Sequence, residues 1–211
     1  MPVSPFRERI TTEKELRDLM GVPGELVAKK AIDHLDSHCR EFIGRSPFLL
    51  VATADATGAC DVSPRGDAAG FVHIVDDRHL VVPERPGNRR MDSLRNILSN
   101  PRVGLIFLIP AMEETLRVNG RAWILRDPEL LREMEVKGKI PKVGIGVEVE
   151  ECYLHCAKSL KRSRLWQPDT WPDPADLPSA SRILADHVNL PDVSPEKVEE
   201  SLRESYTQRL Y

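Results

Sequence analysis

The sequence predicts a mainly β protein with flanking helices, built on an antiparallel sheet closed into a barrel or sandwich. Three observations carry that expectation. Six short apolar or alternating runs lie between residues 48 and 153, most of them joined by turn-forming residues. Helical periodicity falls mainly before and after these runs. Strands in such number, with connections this short, pair with their chain neighbours and so run antiparallel.

The first run, Phe48 to Ala54, ends at the turn-forming stretch Asp55 to Gly58. Phe71 to Val75 and His79 to Val82 flank Asp76, Asp77 and Arg78, a tight hairpin. Val103 to Ile109 is closed by Pro110. Thr115 to Leu125 alternates, with Leu116, Val118, Ala122 and Ile124 on one face and Thr115, Arg117, Asn119, Arg121 and Trp123 on the other. In the last run Val143, Ile145, Val147, Val149 and Tyr153 share a side. Two helices interrupt the strands. One spans Arg89 to Ser99 and stops at Asn100 and Pro101; the other spans about Pro128 to Lys137.

Residues 11–44 read as helical, with Thr12 and Glu15 forming a capping box and Pro23 and Gly24 breaking the run. Leu26, Ala31, Ile32 and Leu35 give the second part an apolar stripe that ends near Gly44. After the strands, Gln167 to Ser179 is rich in proline and aspartate. Two short helices follow, the second capped by Ser194 with Pro195 in its first turn. The expected organisation is a helical extension (1–45), a β domain (46–166), and a proline-rich linker with a helical tail (167–211).

With 41% hydrophobic and 30% charged residues, the 211-residue chain has the composition of a globular protein able to bury a large core. A net charge of −3 argues against a general nucleic-acid or membrane-surface binder. No run approaches the roughly 18 apolar residues of a membrane span, and no apolar segment follows the first basic residues. The four cysteines (Cys39, Cys60, Cys152, Cys156) are too few and irregular for a disulfide framework. A cytoplasmic location with reduced thiols is therefore expected.

The strongest chemical signal is the stretch from Pro83 to Arg90. Gly87 allows close backbone approach, Asn88 is a candidate N-cap, and Arg89 and Arg90 stand beside the first turn with Arg85 upstream. Free N–H groups at a helix start, flanked by guanidinium groups, form a phosphate seat; a solvated basic helix start is the alternative. Ser63, Arg65 and Gly66 offer a hydroxyl, a guanidinium and an unusual backbone angle at what reads as a turn between strands. Arg117 and Arg121 lie on one face of an alternating strand. Cys152, His155 and Cys156 raise the question of a metal, but Cys152 and Cys156 face away from His155 on a strand, and no Cys-x-x-Cys pair is present. Serine-hydrolase elbows and Rossmann or Walker loops are missing.

Residues 48–124 resemble the FMN-binding split barrel of the pyridoxamine 5′-phosphate oxidase-like family. The resemblance rests on the runs starting at Phe48, Asp61, Pro83, Asn100 and Thr115, and the stretches Cys152 to Ser159 and Arg162 to Trp166 resemble an uncharacterised subgroup. It implies a six-stranded split barrel and a homodimer with FMN at the subunit interface. The flavin phosphate would sit on Asn88, Arg89 and Arg90, with Ser63 and Arg65 on the neighbouring strand. Arg117, Lys158, Arg164 and Trp166 would lie near the ring or the partner side, Lys158 or Arg164 stabilising reduced flavin. An FMN-dependent oxidoreductase acting on a small molecule, with a nicotinamide cofactor or oxygen as second partner, is the expected function. Non-catalytic flavin storage, or a barrel binding another anionic ligand such as haem, is the alternative. The Arg-x-His substrate motif of the authentic oxidase is missing from its expected place, which counts against pyridoxamine phosphate oxidation itself.

Overall fold

A computed structural model describes residues 5–211. The chain falls into two compact units, one ending at Ala31 and one running from Ile32 to Tyr211. The first holds helices α1 (Glu13–Met20) and α2 (Glu25–Lys29). Thr12 caps α1 as expected, its side chain accepting from Glu15 N, while the Glu15 carboxylate returns to Thr11 N.

The second unit opens with Ile32, whose backbone pairs with Cys152, and then α3 (Ser37–Arg45). Its N-cap, Asp36, accepts from Cys39 N at 2.8 Å. The single helix expected up to Gly44 is thus two, parted by the extended Ile32 segment. An apolar stripe cannot register that break, because the bridge to Cys152 is a distant pairing.

The sheet comprises β1 (Phe48–Ala54), β2 (Cys60–Gly66), β3 (His73–Ile74), β4 (His79–Pro83), β5 (Arg102–Leu108), β6 (Thr115–Leu125) and β7 (Gly144–His155). Its seven strands lie in the order β2-β1-β5-β6-β7-β4-β3, each pair antiparallel. Helix α4 (Asp92–Ser99) follows β4, and α5 (Pro128–Arg132), shorter than expected, lies between β6 and β7. After β7 come α6 (Lys158–Ser163), α7 (Ala180–Val188) and α8 (Pro195–Gln208). Ser194 caps α8 with Pro195 in its first turn, as expected. The architecture is the antiparallel sheet with flanking helices that the sequence predicts.

The strand count is seven rather than six, and the addition is β2. Pro64 makes the stretch read as a turn, because proline has no N–H for a ladder. β2 is an edge strand paired only with β1, and an edge tolerates that loss. Gly66 consequently lies in this strand and not at a turn with positive φ. A Cβ there would meet Phe48 and the Pro47 carbonyl at 3.3 Å.

Leu49 and Val51 of β1, Leu80 and Val82 of β4, Leu105 and Phe107 of β5, Val118 of β6 and Val147 of β7 enter one core together with Phe42 and Ile43 of α3. The sheet is not closed on itself, contrary to what the sequence predicts: β2 and β3 are its two edges, with no ladder between them. β6 keeps the expected alternation, but β7 does not. Asn119 pairs with Glu151 and Gly120 with Val149, leaving Glu150 as a bulge. Beyond it the faces exchange, so Cys152 is buried where Tyr153 was expected. Gly120 makes the bulge possible: a Cβ there would lie 1.9 Å from the Glu148 carbonyl oxygen.

Candidate functional site

The β1–β2 register sets Asp61 opposite Thr53, Ser63 opposite Val51 and Arg65 opposite Leu49. Since Thr53, Val51 and Leu49 are buried, the alternate residues of β2 extend the inner face of the sheet as a polar row along the rim of the core. Helix α4 is fastened across this rim: Ser93 Oγ donates to Asp61 Oδ2 at 3.0 Å, and Asn96 Nδ2 donates to Thr53 Oγ1 at 3.0 Å. Leu94 and Ile97 of the same helix enter the core.

Residues 84–91 run from β4 into α4 beside the row. Arg65 pairs through Nη1 with Glu84 at 2.6 Å, the Arg65 side chain being 15% exposed and that of Glu84 23%. Arg65 Nε is buried with no hydrogen-bond partner, the only such side-chain atom among the described residues. A buried guanidinium N–H left unpaired is costly, and an anionic oxygen is the acceptor that would pair with it most strongly.

The loop itself differs from the expected helix start. Asn88 is not the N-cap; its Oδ1 accepts from Arg90 N at 3.0 Å, closing a turn before the helix begins. Met91 is the cap, in the left-handed region at φ 58° and with no side-chain cap bond. Arg89 also has positive φ, 63°. The conformational demand thus falls on Arg89 and Met91 rather than Gly87, which sequence cannot show because arginine and methionine seldom adopt it. Both Arg89 and Arg90 are exposed. Arg90 Nε pairs with Asp92 at 2.8 Å. Its pKa is raised by that bond and charge first, with Asp61 adding to the effect, so the loop guanidinium lies within electrostatic reach of the polar row.

Arg85 is occupied. Its Nε meets Asp67 at 2.7 Å, its Nη1 donates to the Met134 carbonyl at 2.9 Å, and its guanidinium lies 5.9 Å from the Tyr211 ring centroid. Tyr211 donates its hydroxyl to Asp67 Oδ1 at 2.8 Å. The buried Asp67 carboxylate is raised by desolvation, but bonds from Tyr211, Ala68 N and Arg85 outweigh this and leave its pKa below the ordinary value. Asp61, Asp67, Glu84 and Ser93 were not singled out as site residues. Their partnerships span strands, although Asp61, Asp67 and Glu84 stand inside the motifs that carry the family resemblance. Nothing in the sequence points to Tyr211.

The other candidates lie elsewhere. Arg117 projects from the opposite face of β6, where its guanidinium is 5.9 Å from the Tyr153 ring centroid and its Nε donates to Asn119 Oδ1 at 3.4 Å. Lys158 is exposed at the start of α6, and Arg164 ends that helix in the left-handed region. Trp166 is half-buried, donating Nε1–H to the Met112 carbonyl at 2.8 Å. His155 Nδ1 lies 3.4 Å from the Cys156 carbonyl oxygen. Ser63, Arg65 and the 84–91 loop come together within one chain; Arg117, Lys158, Arg164 and Trp166 do not join them.

The family model described as pyridoxamine 5′-phosphate oxidase matches residues 35–156, more than half of the chain. The chain belongs to this family. The match takes in the whole sheet, α4 and the 84–91 loop. No curated protein matches. Among solved structures, the chain is similar to a putative pyridoxamine 5′-phosphate oxidase from Lactobacillus delbrueckii (20% identity, 58% of this chain and 95% of that one, TM-score 0.45). It is also similar to HutZ, described as the haem storage protein of Vibrio cholerae (18% identity, 57% and 92%, TM-score 0.41). A third is an FMN-binding protein from Syntrophomonas wolfei (11% identity, 55% and 86%, TM-score 0.40).

FMN is the cofactor that the family resemblance implies, and the residues of the polar row fit its phosphate. They combine a buried, unpaired guanidinium N–H, an adjacent hydroxyl at Ser63 and two exposed arginines on the loop alongside.

Proposed function

We propose that this chain is an FMN-binding oxidoreductase that anchors the flavin phosphate at the rim formed by β2 and the 84–91 loop. The observation that carries the reading is Arg65 Nε, buried and unpaired beside Ser63. Arg65 would contribute a charge-assisted hydrogen bond, Ser63 a hydroxyl, and Arg89 and Arg90 positive charge from the solvent side. Glu84 orients Arg65, leaving Nε free to donate. Bound FMN supplies hydride transfer at its N5, with the protein contributing position and electrostatics. The substrate is a small molecule, with a nicotinamide cofactor or oxygen as second partner.

A homodimer completes the proposal. Leu50, Ala52, Val62 and Ile106 lie on the outer face of β1, β2 and β5, where Val62 is 60% exposed. Burying this apolar strip against a second copy would also offer a route by which Arg117, Lys158, Arg164 and Trp166 of one chain reach the rim of the other. Sedimentation at micromolar concentration should show a dimer.

The test is titration of the purified chain with FMN, followed by flavin fluorescence and absorption. Saturable uptake at one site per chain, followed by flavin reduction with NADH or NADPH and turnover with an acceptor, is expected. Uptake without turnover over a wide panel favours storage. Protein that ignores FMN but takes up haem overturns the flavin reading.

A further inference from the structure

Away from the polar row, two thiols meet inside the core. Cys39 stands on α3 and Cys152 on β7, 113 residues apart in sequence, with their Sγ atoms 3.3 Å apart. Cys152 is fully buried and Cys39 keeps 7% of its exposure, whereas Cys60 and Cys156 are exposed. The backbone fixes the meeting. Ile32 N donates to the Cys152 carbonyl at 3.0 Å and Cys152 N to the Ile32 carbonyl at 2.6 Å, tying the segment ahead of α3 to β7. The Asp36 cap then sets the start of α3 and with it the place of Cys39.

We propose that Cys39 and Cys152 form a core dithiol that closes to a disulfide when the protein meets a peroxide, fastening α3 to β7. The pair is asymmetric. Cys152 donates its S–H to Cys39 Sγ, and this bond holds the Cys39 thiol below its ordinary pKa against the opposing effects of burial and Asp36. The same bond, followed by burial, pushes Cys152 upward. Cys39 also keeps the residual exposure that Cys152 lacks, and so it is the sulfur that peroxide meets first.

The Cys39 thiolate attacks one oxygen of hydrogen peroxide, forming an S–O bond as the O–O bond breaks. The departing hydroxide takes up the proton released by the Cys39 thiol and leaves as water. Cys152, deprotonated in turn, attacks the Cys39 sulfenic sulfur; the S–S bond forms, the S–O bond breaks, and the second hydroxide leaves with the Cys152 proton as water. Two thiols lose two electrons and the peroxide gains them. Hydrogen peroxide is little larger than water, so the residual exposure of Cys39 offers it a path.

The test uses the full chain carrying Cys60→Ser and Cys156→Ser, which leaves only the core pair. After peroxide treatment, thiols are counted in denaturant and the protein is mapped by mass spectrometry. Thiols should fall from two to none, with loss of two hydrogens, a cross-linked peptide joining Cys39 to Cys152, and full recovery on reduction by dithiothreitol. Adding Cys39→Ser should abolish the loss of two hydrogens. Two thiols surviving peroxide would overturn the proposal, as would oxygen added at each sulfur that dithiothreitol cannot remove.

Discussion

Replacing Arg65 with methionine preserves the length of the side chain along β2 while removing the buried guanidinium. Two effects should follow, and they can be measured separately. The ion pair with Glu84 is partly buried, so stranding that carboxylate should reduce the stability of the FMN-free protein by about 2 kcal/mol. The free Nε, if it donates to phosphate, contributes a charge-assisted hydrogen bond of about 1.5–3 kcal/mol. At about 1.4 kcal/mol per decade, FMN affinity should fall by roughly tenfold to a hundredfold. Urea unfolding without ligand reads the first effect, and quenching of flavin fluorescence reads the second. Adding Glu84→Gln should recover part of the stability by removing the stranded charge, without restoring affinity. If Arg65→Met lowers stability while FMN binds as before, Arg65 is only a structural partner of Glu84 and the phosphate lies elsewhere.

Three further outcomes are expected. Arg89→Ala combined with Arg90→Ala should weaken FMN binding at least about tenfold while leaving urea unfolding nearly unchanged, since both side chains are exposed; unaltered affinity would remove the loop from the site. Gly120→Ala drives a Cβ to 1.9 Å from the Glu148 carbonyl, so β6 and β7 must part at the bulge. The cost should exceed about 3 kcal/mol in urea unfolding, and a variant of ordinary stability would show that the bulge can move. Asp67→Asn tests the buried Arg85 contact through pH. The folded-state pKa of Asp67 lies below its unfolded value, so its stabilisation is present above the unfolded value near about 4 and disappears as pH falls through the folded one. Wild type should exceed the variant by about 2 kcal/mol at neutral pH, with the gap closing in acid; a gap independent of pH would refute the ionic role.

Much of the sheet was legible because its signals are local. Thr115 to Leu125 alternates as one long strand whose inner face meets the core, and neither the period nor the composition needs a partner to be seen. The Asp55 to Gly58 turn is equally self-contained: Asp55 Oδ1 accepts from Thr57 N and Ala59 N, and Gly58 takes φ 89°. The order of the motifs carried the family, and with it the expectation that a basic loop and the strand holding Ser63 and Arg65 come together.

The remainder depended on what each segment meets. Pro64 forbids a strand in the middle of a sheet and permits one at the edge, so the residue pattern without the family resemblance does not show β2, and its edge position needed the strand order. One bulged residue, Glu150, reverses the faces of β7, burying Cys152 against Cys39 and turning Tyr153 toward Arg117. Arg65 and Arg85 look alike in sequence as basic residues near an anion-binding motif. Tertiary structure separates them, because Asp67, the Met134 carbonyl and Tyr211 surround Arg85, whereas Glu84 takes one end of Arg65 and leaves Nε buried without a partner. Residue type sets the charge available, but desolvation and the positions of distant partners decide which guanidinium still has a bond to give.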